Sequence, residues 1–93
     1  MNILLAQLPI ADAQVDINLS NMLSMIRNAP IDTDLIVFPE TTLSGFPTKD
    51  EIGTVGLTTR GKPIRLIQEA ARNSNTAIAF GFCELADGRA YNT

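Results

Sequence analysis

The chain contains no histidine. That absence excludes a Ser–His or Cys–His nucleophile pair within these residues, because no imidazole is present to take the nucleophile's proton. It excludes histidine-bearing zinc sites as well. Cysteine occurs once, at Cys83. There is therefore no internal disulfide framework and no cysteine-rich zinc site. Basic residues are scarce: seven Lys and Arg stand against ten Asp and Glu, for a net charge of −3. They are scattered, which argues against nucleic acid as a partner and leaves no basic patch for a membrane surface. No GxGxxG or P-loop occurs, so a nucleotide site has no local signature. A carboxylate-only Mg or Ca site stays open, although no loop has EF-hand ligand spacing. Met1–Ile10 is apolar but too short to span a bilayer. It also lacks a basic leader and a cleavage site, so a cytoplasmic location is the default expectation. No internal repeat, low-complexity tract or linker is found.

What is present fits one small globular unit. The 93 residues are 45% hydrophobic and 18% charged, which is outside the range of disordered chains. A chain this short buries only about two-thirds of its unfolded surface and is marginal by itself.

The most informative stretch is Asp34-Leu35-Ile36-Val37-Phe38-Pro39-Glu40. Its apolar run predicts a buried strand. Pro39 has no N–H for a ladder, so pairing should stop there. Glu40 then stands just past the carboxyl end of a strand, where open α/β sheets bind their ligands. Glu40 is a candidate general base on that placement. The plain alternative is a solvated acid at an ordinary strand end.

The rest of the chain alternates in type. Asn2–Leu8 predicts a first strand ended by Pro9, with Gln7 as a core residue or as an orienter of Glu40. Asp16 or Asn18 is a candidate cap for a helix running to about Ala29. Leu19, Met22, Leu23 and Ile26 recur on one face of that helix. Pro63 suits the start of a second helix, with Ile64, Ile67, Ala70 and Ala71 on its buried side, and Asn73-Ser74-Asn75 as its stop. Thr76–Leu85 predicts a third strand, in which Gly81 marks a bulge or a close approach by another backbone. Asp87-Gly88 signals a hairpin. Strand, helix, strand, helix, strand is a βαβ pattern with right-handed crossovers. All three strands are apolar on both faces and need cover on both sides. The long segment Thr41–Lys62 would either wall one side of any pocket at Glu40 or run as a floppy surface excursion, with a short helical turn near Asp50–Gly53.

Asp34–Glu40, followed by Thr41-Thr42-Leu43-Ser44-Gly45-Phe46-Pro47, resembles the nitrilase (carbon–nitrogen hydrolase) superfamily. Ala6-Gln7, Gly81-Phe82 before Glu84, and Asp87-Gly88 leading to Tyr91-Asn92-Thr93 extend the resemblance over nearly the whole chain. It covers about the first third of a family domain, judged by ordinary domain sizes. The resemblance implies that residues 1–93 are the N-terminal part of an α-β-β-α sandwich, incomplete as a domain. It implies a Glu–Lys–Cys triad hydrolysing a small amide or nitrile, with Glu40 as general base and no metal or organic cofactor. The complete protein is expected to be a homo-oligomer. The family's Lys and nucleophilic Cys come after this stretch. Lys49 and Lys62 therefore read as surface residues, and Cys83 as a small buried hydrophobe. Glu84, Tyr91 and Asn92 read as hairpin and scaffold residues. With one triad member of three, the 93-residue chain is expected to be inactive alone. Two other classes stay open: a non-catalytic interaction module, and a flavodoxin-like βαβ module with metal-dependent phosphoryl chemistry. Against the second, Asp12, Asp32 and Asp34 do not form a strand-end pair by spacing.

Overall fold

A computed structural model describes residues 1–93, apart from the side chains of Thr54 and Val55. Three short apolar runs form a parallel sheet: β1 (Ile3–Leu5), β2 (Leu35–Val37) and β3 (Ala77–Ala79), in that order. Their register aligns Leu4, Ile36 and Ile78 in one row. Two helices connect them, α1 (Val15–Asn28) and α3 (Lys62–Ser74). With strand order 1-2-3, right-handed crossovers put both helices on the same face. The core confirms it, because Ile36 packs in one cluster with Met22 and Ile26 of α1 and Ile64 and Ile67 of α3.

The opposite face of the sheet is open. Ile3 is 53% and Leu5 71% exposed, Ala77 and Ala79 are exposed, and Leu35 and Val37 are half-buried. The strands are apolar on both faces, as the sequence implies, but the helices cover only one.

α1 is set by its apolar stripe. Met22 and Ile26 are fully buried, and Leu19 and Leu23 pack beside them. Asp16 in the first turn and Arg27 in the last complement the helix dipole. Neither Asp16 nor Asn18 caps it: the helix begins at Val15 after Gln14, with no side-chain cap. The Asn18 amide is engaged elsewhere. It accepts from the Ala11 N–H at 2.9 Å and donates to the Ala11 and Leu43 carbonyls at 2.8 and 3.1 Å. Asn18 is 1% exposed, so its loss leaves buried backbone groups without partners. Asn18→Ala in the full-length protein is expected to cost about 3 kcal/mol, from the penalty for orphaned buried polar groups. A denaturant melt checks it, and an unchanged midpoint would contradict this role.

α3 starts after Gly61, with Pro63 in its first turn. It ends at Ser74, where Asn75 takes a left-handed conformation at φ +50 and Thr76 N–H closes back on the Ala71 carbonyl. In the connecting segment, α2 (Ile52–Val55) is a single turn. Just before it the Thr48 N–H donates to Glu51 Oε1 at 2.8 Å, the backward half of a capping box. That backbone donor holds the Glu51 carboxyl below its ordinary value.

The single strand expected over Thr76–Leu85 is two strands. β3 ends at Ala79 and β4 runs from Cys83 to Ala86, with Phe80-Gly81-Phe82 between them. The sheet partner runs out first, since β2 is followed by Phe38, whose N–H bonds Ala79, and then by Pro39. The chain then changes partner. Phe82 exchanges backbone bonds with Thr93, at 2.9 and 3.1 Å, and β4 pairs antiparallel with β5 (Arg89–Asn92). Asp87 and Gly88 both have positive φ, at 52 and 74. This is the two-residue hairpin turn that the Asp-Gly pair predicts.

Candidate active site

Glu40 leaves β2 through Pro39 and opens a turn that is held from both sides. The Thr42 hydroxyl donates to the Pro39 carbonyl. The Gly45 N–H closes on the Thr41 carbonyl at 2.7 Å. Thr42, Leu43 and Ser44 are fully buried. On the α1 side, Ala13 N–H donates to the Ser44 carbonyl at 3.0 Å, and Phe46 N–H donates to Asp12 Oδ1 at 3.0 Å. On the hairpin side, Cys83 N–H donates to the Ser44 hydroxyl at 3.1 Å. Gly81 lies so close that a Cβ there would stand 2.7 Å from the Thr41 nitrogen. The close backbone approach expected at Gly81 is therefore to the residue that follows Glu40.

Thr41 carries strain of the kind found at functional sites. It is β-branched yet has φ +51, and its buried hydroxyl has no hydrogen-bond partner among the described residues. The turn is clamped while the Glu40 carboxylate itself is exposed. Glu40 Oε1 accepts a bond from Asn92 Nδ2 at 2.6 Å. A carboxylate fixed in this way at a strand end is able to take and return a proton.

Asn92 also lines a cavity of about 310 Å³, together with Thr41, Phe46, Pro47 and Ile52 of the connecting segment and Cys83 and Tyr91 of the hairpin; Glu40 is not in that lining and is linked to it through Thr41 and Asn92. Leu57 ties the two walls together, since it bonds Cys83 and Leu85 through the backbone. A larger cavity of about 700 Å³ opens between β1 and α1. No ionisable side chain lines it, so the smaller one is the candidate site.

The other candidate residues separate from Glu40. Lys49 and Lys62 are exposed. Gln7 is exposed rather than in the core, and among the described residues no hydrogen bond joins it to Glu40. Cys83 is half-buried and faces the cavity, rather than sitting in the interior of an apolar strand. Glu84 accepts from the Thr93 hydroxyl at 2.7 Å, a hairpin role. The residue missed by sequence reasoning is Asn92. The hairpin register sets Asn92 opposite Cys83, and the Asp-Gly turn makes that pairing readable. Which strand end meets the hairpin is a tertiary fact with no local signal.

The strand-end carboxylate, the buried Leu-Ser-Gly turn and the helix-covered parallel sheet agree with a comparison of sequences. The chain belongs to the carbon–nitrogen hydrolase family, whose model matches residues 3–93. It forms the N-terminal part of the family domain. It is similar to an (R)-stereoselective amidase from a Pseudomonas species, 39% identical over 93 residues, or 100% of this chain and 34% of the amidase. Its fold matches a CN-hydrolase superfamily protein from Xanthomonas campestris, solved with an arsenic adduct in the active site. That match has a TM-score of 0.85 at 21% identity and covers 97% of this chain and 33% of the other. The chain thus spans about a third of the length of these relatives.

Proposed function

We propose that this chain supplies the general base of a hydrolase that cleaves a small amide through a Glu–Lys–Cys triad. Glu40 is that base, and the Lys and Cys come from residues outside these 93. The observation that carries the reading is the Glu40 carboxylate, held free of the core on a clamped turn and bonded to Asn92, which lines a largely apolar cavity. The similarity to an (R)-stereoselective amidase favours an amide over a nitrile.

In the proposed reaction Glu40 takes the proton of the nucleophilic thiol as sulfur attacks the amide carbon. The lysine steadies the oxyanion of the tetrahedral adduct. The C–N bond breaks, the proton held by Glu40 passes to the leaving nitrogen, and a thioester remains. Glu40 then takes a proton from water, the hydroxide attacks the thioester, and the carboxylic acid leaves as the thiol is restored. No metal or organic cofactor enters this scheme. Residues 1–93 alone are inactive on this reading, because they carry one member of the triad. The open sheet face at Ile3, Leu5, Ala77 and Ala79 is the surface that the rest of the sandwich covers. The complete protein is a homo-oligomer. Among the described residues no helix is long and apolar enough to cross a membrane.

The test is to give the full-length protein a panel of small amides and the matching nitriles. Acid and ammonia should appear from amides faster than from nitriles. No release from any member of the panel would sink the reading.

A further inference from the structure

We propose that Asn92 is a positioning residue for Glu40, a role that rests on Glu40 being the base. The two residues lie 52 apart in sequence. Asn92 Nδ2 donates to Oε1 at 2.6 Å, which leaves Oε2 as the oxygen that meets the proton. An amide suits this task. It gives a hydrogen bond to the carboxylate, has no titrating proton of its own, and brings no charge to compete for the proton Glu40 must carry.

The backbone around Asn92 is fixed well enough to aim such a bond. Asn92 closes β5 opposite Cys83. The next residue, Thr93, exchanges two backbone bonds with Phe82, and its hydroxyl donates to Glu84 at 2.7 Å. Gly81, adjoining Phe82, packs on the Thr41 nitrogen. The hairpin and the Glu40 turn are therefore braced through Gly81, and the Asn92 amide spans the gap between them. A scaffold residue needs only its shape, whereas this one is read by its donor.

A mutant cycle in the full-length protein tests the idea. Asn92→Ala should lower kcat ten- to thirtyfold with KM changed less than about threefold, the pattern for a group that acts on the chemical step. Asn92→Asp keeps the shape, removes the donor and opposes Glu40 with a like charge, so it should be slower still. In the Glu40→Gln background, Asn92→Ala should add less than about a twofold loss, because coupled residues are not additive. An Asn92→Asp variant with wild-type kcat would overturn the proposal. So would a full additional loss in the Glu40→Gln background. If instead Glu40→Gln itself keeps its turnover, the base assignment fails, and the positioning role fails with it. Circular dichroism checks that each variant folds, and the exposed position of Asn92 favours that.

Discussion

Replacing Glu40 with glutamine is expected to cut turnover of the full-length protein by about a hundredfold or more, the usual scale for loss of a general base. That corresponds to about 2.7 kcal/mol of transition-state stabilisation. The substitution changes little else. Glutamine matches glutamate in volume, the position is exposed, and the amide oxygen is still able to accept from Asn92. The turn itself is held by hydrogen bonds of Thr42, Asn18 and Ser44 to backbone groups and not to the carboxylate. Binding should therefore survive while proton transfer fails, and kcat should fall far more than KM rises. Near-normal turnover in a variant with an unchanged circular dichroism spectrum would remove Glu40 from the mechanism.

The second large effect is expected at Gly45, whose N–H closes the Glu40 turn on the Thr41 carbonyl. Gly45 has φ +66, and a Cβ there would stand 2.7 Å from both the Asp12 Cα and its Oδ1, and 3.0 Å from the Ala11 carbonyl. Backbone is not able to swing away as a side-chain tip does. Gly45→Ala combines a left-handed penalty of about 1–2 kcal/mol with overpacking of about 1–3 kcal/mol. A loss near 3 kcal/mol in a denaturant melt is expected. The shift should also break the Asp12–Phe46 bond and move the Glu40 turn, so activity should fall at least tenfold. Gly53→Ala is the control, since nothing lies within 4 Å of a Cβ at that position. Equal melts for Gly45→Ala and the unsubstituted protein would contradict this account of the turn.

The parts of this architecture that were legible are those written in local pattern. Val37-Phe38-Pro39-Glu40 predicts a strand, its stop and an acid beyond it, and all three are found. Asp87-Gly88 predicts the hairpin because few pairs tolerate two positive φ values. Gly81 marks a bulge or a close approach by another backbone, and the close approach is what is found, at the Thr41 nitrogen. The parts that were not legible depend on partners. Thr76–Leu85 is one apolar run, and nothing within it marks the point where β2 ends and Thr93 takes over. Asn18 looks like a cap by residue type, yet its amide is drawn to Ala11 and Leu43, which only the folded chain brings near. Asn92 looks like scaffold until the hairpin folds over the Glu40 turn.

Trapping the covalent intermediate tells whether these residues supply the base of the reaction and not its nucleophile. The full-length protein and its Glu40→Gln variant are mixed with a small amide, quenched in acid, and digested for peptide mass mapping. An acyl group is expected on a cysteine outside residues 1–93, forming in the unsubstituted protein and at least a hundredfold more slowly in the variant, the scale of a lost general base. An acyl group on Cys83, or acylation that proceeds at the same rate without Glu40, would contradict this assignment.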